Sequence, residues 1–189
     1  LITPTPDMKK QTRNSLTIFL LLFITMSWQV QAQSFITTWQ VSTNDLDITI
    51  PTRGNGYNYT VNWGDGTSGN NFVGNATHTY ATEGTYTISI SGDFPRIYFN
   101  NGGDKLKIMS IEQWGDIEWH SMESAFEGCT NLSYKAVDTP NLSQVLNMND
   151  MFNGASNFNG DLNDWDVSNV GGMSGLFCHA TNFNGHIEN

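Results

Sequence analysis

The chain has 189 residues, 18 of them acidic and 8 basic, for a formal net charge of -10 at pH 7. So acidic a surface repels nucleic-acid phosphates and anionic membrane, which excludes binding modes built on basic patches. With only Cys129 and Cys178 available, a disulfide-dense scaffold is excluded too, and packing has to supply the stability.

In chain order, residues 1–32 read as a secretory signal, with 1–7 a possible upstream extension ahead of Met8. Lys9, Lys10 and Arg13 make a basic start, Leu16 to Trp28 is an apolar run too short for a comfortable membrane span, and Val30-Gln31-Ala32 offers small residues for cleavage. Cleavage after Ala32 takes Asp7 from the 18 acids and three of the 8 bases, leaving 17 against 5. The expected product is secreted or held at the cell surface, with no transmembrane span in the mature chain.

Residues 33–92 alternate threonine, tyrosine, valine and isoleucine with polar residues, the period of half-buried strands. In "TYTISI" (85–90), Tyr86, Ile88 and Ile90 fall on one face and Thr85, Thr87 and Ser89 on the other. Gly54, Gly56, Gly64, Gly66 and Gly84 punctuate the strands at turns. The pattern predicts a small all-β unit, most simply a sandwich. Within it stand "VNWGDGT", then "HTY" at 78–80, then "GTYTISISG" at 84–92. These stretches resemble a PKD domain, an immunoglobulin-like sandwich of extracellular proteins, through Trp63, Gly64, Asp65, Gly66, His78, Tyr80, Gly84 and Tyr86. Asp65, between two glycines, is suited to hydrogen-bond its own turn while the glycines take positive φ. Trp63 and Tyr80 are then expected in the core.

Pro95 and Gly102-Gly103 mark residues 93–110 as a linker or N-terminal cap. Beyond it the period changes from two to about 25. Phe126, Phe152 and Phe177 recur at a near-constant interval, and the same offsets from each return similar residues. Four before stand Met122, Met148 and Met173; seven before, Trp119, Val145 and Val170; twelve before, Trp114, Pro140 and Trp165. Fifteen before stand Ile111, Val137 and Leu162, and six after come Leu132, Phe158 and Phe183. A small residue follows at Cys129, Ala155 and Ala180, and Ile187 repeats Leu162, so the last unit of 111–189 reads as incomplete. One such unit cannot bury its apolar face alone, but stacked neighbours can. Within a unit, Trp119 to Met122 suits a short strand, and "MESAFEGC" and "MNDMFNGA" suit a short helical turn ended by Gly128 or Gly154.

The units resemble the BspA-like leucine-rich repeat surface proteins of bacteria, in which W-D-V-S-N-V-x-x-M-x-x-M-F-x-x-A-x-x-F-N recurs with about this period. "WDVSNVGGMSGLFCHATNFNG" (165–185) matches nearly throughout and "VLNMNDMFNGASNFNGDL" (145–162) closely, while "IEWHSMESAFEGCTNL" (117–132) is looser. The resemblance implies a leucine-rich-repeat-like solenoid behind the PKD-like sandwich, mainly β throughout. It also implies adhesion or protein binding without catalysis, against an extracellular protein or matrix ligand.

No pair among His78, His120, His179 and His186 has metal-ligand spacing. Cys178-His179 invites a nucleophile and base, but neighbours on a turn are expected to point apart. Cys129 occupies the small core slot, and two repeat steps should put it beyond disulfide reach of Cys178. Asp161, Asp164 and Asp166 raise calcium as a possible ion, although a calcium loop's alternating ligands and central glycine are missing, and Asp166 suits a turn cap. The sequence therefore predicts no catalytic, cofactor or metal residues. A second class of function is a carbohydrate-binding accessory module, with Tyr57, Tyr59, Trp114 or Trp119 stacking on sugar rings. The positions that vary between copies, Glu127, Asn153 and Cys178, are where a binding face is expected first.

Overall fold

The computed structural model describes residues 32–187, so the signal and cleavage reading of 1–32 lies outside the described residues, Ala32 excepted. Eight strands and no helix are found among them, and no helix there is long and apolar enough to cross a membrane. The protein is mainly β.

Strand β1 (Phe35–Val41) buries Phe35, Thr37, Trp39 and Val41 and turns the residues between them outward, as the pleat requires. The buried Thr37 hydroxyl is satisfied by the Trp39 indole, whose Nε1 donates to Oγ1 at 2.8 Å. β1 pairs antiparallel with β6 (Gly84–Asp93) on one side and β7 (Ile108–Gln113) on the other. β3 (Asn58–Asn62) and β4 (Ser68–Phe72) extend the sheet beyond β6, and β8 (Ser133–Tyr134) runs parallel to β7. The order is β4-β3-β6-β1-β7-β8. A second, antiparallel pair is formed by β2 (Asp47–Ile50) and β5 (Ala76–Thr79), and its Ile48, Ile50 and Ala76 are fully buried in the same core.

The stretch 93–110, expected as linker or cap, buries Phe94, Ile97, Phe99 and Ile108. Phe94 meets Tyr57, Tyr59 and Trp119 edge-on at 4.8–5.9 Å between ring centres. Phe35 of β1 meets Trp114 at 5.5 Å and Trp119 at 5.1 Å, so one continuous hydrophobic core runs from β1 to Trp165.

From β7 onward the three copies are joined by backbone. The N–H groups of Met122, Ser124, Phe126 and Gly128 donate to the carbonyls of Asn147, Asn149, Met151 and Asn153 at 2.7–3.0 Å. Met148, Asp150, Phe152 and Gly154 donate in turn to Gly172, Ser174, Leu176 and Cys178 at 2.7–3.0 Å. Left-handed residues recur with the copies: Ser124, Asp150 and Gly175 (φ 50°, 55° and 67°), then Gly128, Gly154 and His179 (75°, 72° and 58°). The first set corrects the expected helical turn, because a left-handed residue in mid-segment breaks a right-handed helix. The expected strand from Trp119 to Met122 is also absent; only an isolated bridge, Glu118 to Asn141, forms nearby.

Rings follow the same register. Phe126, Phe152 and Phe177 stack at 5.7 and 5.9 Å, tilted by 8° and 5°. Phe158 and Phe183 form a second column at 5.9 Å, lying 3.8 and 3.9 Å from Phe152 and Phe177 within their own copies. Ile111, Trp114, Trp119, Met122, Leu132, Val145, Met148, Leu162 and Trp165 are buried. Val137 is not: it is fully exposed. The pairing of β7 with β8 sets Ile111 opposite Tyr134, where the repeat interval alone would have placed Val137. The segment carrying Val137 loops out to absorb the difference. Met173 is exposed, and Val170, Phe177 and Phe183 are half-buried, because no described copy covers their outer side.

Candidate binding surfaces

Glu127, Asn153 and Cys178 share one edge of the stacked copies. Their carbonyls accept in register from Asn101, Gly128 and Gly154 at 3.1, 2.7 and 2.7 Å, while the preceding phenylalanines point inward. Glu127 and Asn153 are half-exposed and Cys178 is exposed, so the variable positions do form a column open to solvent. Cys178 Sγ lies 3.1 Å from His179 Nδ1, which is also 3.3 Å from Asn153 Oδ1. This corrects the expectation that the two side chains point apart: His179 takes the left-handed conformation that Gly128 and Gly154 hold in the other copies, and its ring turns back toward the thiol. The contact lies on an open edge, where Cys178 is exposed. Cys129 is a free, buried thiol, and burial pushes its pKa well up.

The residues carrying the PKD-like resemblance come together as a lock. Trp63 and His78 stack at 4.8 Å, His78 meets Tyr80 edge-on at 4.6 Å, and Tyr80 stacks on Tyr86 at 3.7 Å. The Tyr80 hydroxyl donates to the Trp63 carbonyl at 2.7 Å. Asp65 Oδ1 accepts from the Thr67 hydroxyl and amide at 2.6 and 2.9 Å, and Oδ2 contacts His78 Nε2 at 2.7 Å. The Thr67 hydroxyl first, with help from His78, holds the Asp65 carboxyl at a pKa of about 2. Gly64 has φ +80°, and a Cβ there would strike the Thr87 carbonyl. Gly66 (φ 91°) completes the turn, and Gly84 brings the chain beneath the Tyr86 ring. Each member is occupied by another member, which is the arrangement of a structural corner.

The four rings that the carbohydrate reading needs are inaccessible. Tyr57, Tyr59, Trp114 and Trp119 are 5, 1, 0 and 0 % exposed, and a ring without a free face cannot stack on a sugar. Trp114 and Trp165 instead donate their indole N–H groups to the Tyr134 hydroxyl at 3.0 and 3.4 Å, across the copy in which Pro140 replaces tryptophan. Sequence reasoning missed Tyr134, whose only signal was its aromatic character in an otherwise polar stretch. It also missed Tyr98, a half-exposed ring with the guanidinium of Arg53 at 4.7 Å and that of Arg96 at 4.3 Å. Arg96 is tied to Glu123 at 2.7 Å.

Two of the three clustered aspartates, Asp161 and Asp166, cap their own turns. Asp161 Oδ1 accepts from the Asn163 amide and Asp166 Oδ1 from the Ser168 amide, each at 3.1 Å; the Asn163 amide lowers the pKa of Asp161, and the Ser168 side chain, then its amide, lowers that of Asp166. His186 lies 3.4 Å from Asp161, and His120 4.0 Å from Glu118. Among the described residues no group of three or more His, Cys, Asp or Glu is placed to hold a metal ion. Grooves indent the same residues. One, of about 300 Å³, is lined by Asp93, Phe94, Pro95, Asp116, Glu118 and His120. Another, of about 200 Å³, is mostly apolar, with Met148, Leu162, Trp165, Met173, Phe177 and Ile187 around it.

A family model described as "Mycoplasma protein of unknown function, DUF285" matches residues 96–189. The matched stretch takes in β7, β8 and all three copies. No curated protein and no solved structure matches the chain.

Proposed function

We propose that this is a non-catalytic, secreted or cell-surface protein in which a PKD-like sandwich carries a solenoid of BspA-like repeats, and that its work is adhesion or protein binding. The observation that carries the reading is the backbone ladder between successive copies, with a phenylalanine column running along it. Such a ladder holds the main chain independently of the edge side chains. Glu127, Asn153 and Cys178 are therefore free to be set by a ligand instead of by folding. The acidic surface favours a partner with basic or neutral contacts.

The test is solid-phase binding of the purified protein to extracellular matrix proteins and, in parallel, to polysaccharides. Protein binding weakened about tenfold by Glu127→Lys with Asn153→Lys, at unchanged melting temperature, is the expected outcome. Reproducible polysaccharide binding indifferent to those substitutions would overturn it. The carbohydrate alternative keeps no accessible member of its four rings, and no other observation favours it.

A further inference from the structure

The two residues ahead of β1 are held by the end of β7 and the loop after it, residues 113–116. The Gln33 backbone N–H donates to Asp116 Oδ2 at 2.7 Å, and the Asp116 N–H donates back to the Gln33 carbonyl at 2.9 Å. The Gln113 side-chain amide donates to the Ser34 carbonyl at 3.0 Å. Gly115 (φ 64°) permits this approach, because a Cβ there would strike the carbonyl oxygens of both Gln33 and Ser34. Asp138 fixes the loop in turn, its carboxylate accepting from the N–H groups of Trp114 and Gly115 at 2.8–3.1 Å. Asp116 also lines the groove of about 300 Å³ with Asp93 and Glu118, while His120 on the same groove lies 4.0 Å from Glu118.

We infer that residues 113–116 are a receptor for the chain's own processed terminus, in which Asp116 ion-pairs with the α-ammonium of Gln33. The inference rests on the secreted reading proposed above, with cleavage after Ala32. Hydrolysis of the Ala32–Gln33 bond by a signal peptidase consumes one water, leaves a carboxylate on Ala32 and frees the Gln33 nitrogen as an amine that takes up a proton. That nitrogen is the atom already bonded to Asp116, so a neutral N–H on a carboxylate becomes a charge-assisted pair in the same place. Asp93 and Glu118 on the shared groove add negative potential around it. Gln33 leads directly into β1, which is paired on both sides, so the ion pair fastens the terminus to the inside of the sheet. An ammonium held in this way has no free lone pair. It is shielded from acylation, and from attack on its own side-chain amide, the cyclisation with loss of ammonia open to a terminal glutamine.

The test expresses the whole chain with its leader in a secreting bacterium and reads the terminus of the recovered protein by mass spectrometry. Its α-amine is then acylated near neutral pH with an N-hydroxysuccinimide ester, and labelling is followed site by site. A terminus at Gln33 is expected, uncyclised, and acylated at least about fivefold more slowly than the amine of the free peptide QSFITTW (33–39). Asp116→Asn, which keeps an accepting oxygen and removes the charge, should recover most of that difference. Concentrated salt should do the same to the wild-type protein, which serves if the variant does not fold. Acylation as slow in a folded Asp116→Asn as in wild type, a wild-type rate equal to the peptide's or indifferent to salt, or a terminus at another residue would each overturn the inference while leaving export intact. A precursor never exported or cut would bring down the secreted reading itself, and the inference with it.

Discussion

Around Asp65 each polar atom has a partner that occurs once: Thr67 for one carboxylate oxygen, His78 for the other, the Trp63 carbonyl for Tyr80. Around Phe152 the partners are other copies of the same position, Phe126 on one side and Phe177 on the other. The strand-built region is held by side chains specific to one corner and by pairings such as β1 with β7, which are distant in sequence. The repeat-built region is held by neighbours one period away, with backbone groups making most of the polar bonds and side chains such as Asn149 and Asn159 adding to them. In the first, changing a surface residue of the corner disturbs the fold. In the second, an edge residue is free to change.

That contrast can be broken by substitution. The largest effect is expected from Phe152→Ala, a cavity between two stacked rings, at roughly 3–5 kcal/mol of unfolding free energy in denaturant titrations. Val137→Ala, at the fully exposed member of the sequence-derived core set, should stay within about 0.5 kcal/mol. Equal costs for the two would mean that the register is wrong. Gly64→Ala comes next, at roughly 2 kcal/mol, since it combines a left-handed backbone with a collision against the Thr87 carbonyl; a neutral result would show that the corner yields easily.

Acid titration should give the smallest effect. The Asp65 carboxyl is depressed from 3.8 to about 2, so its contribution is complete above its unfolded value and is lost as pH falls through that window. The melting-temperature gap between the wild-type protein and Asp65→Asn should therefore narrow from pH 5 to pH 2. A gap independent of pH would show that the charge has no part in the corner.

Much of this was legible in the sequence because period is a local property. Ile88 and Ile90 reveal their strand by alternation, and Met148 and Phe152 reveal their copy by offset. The corner was legible as a resemblance, although the stacking of His78 on Trp63 required the fold. Three features escaped for physical reasons. β7 joins the first sheet by pairing with β1, at the far end of the described chain, and no local pattern encodes such a partner. Val137 obeys the repeat interval but not the pairing, because the β7–β8 register closes earlier, at Tyr134. Ser124 and Asp150 sit where an apolar pattern suits a helical turn, and only their positive φ shows that the chain turns otherwise. Of the candidate surfaces, the variable edge was readable from the copies.

Native-state hydrogen exchange, resolved by residue, tests the stacked ladder most directly. Strong protection is predicted at Met122, Ser124, Phe126 and Gly128 and at Met148, Asp150, Phe152 and Gly154, with near-unprotected exchange at Met173, Gly175, Phe177 and His179. Uniform exchange across the three sets, whether fast or slow, would contradict it.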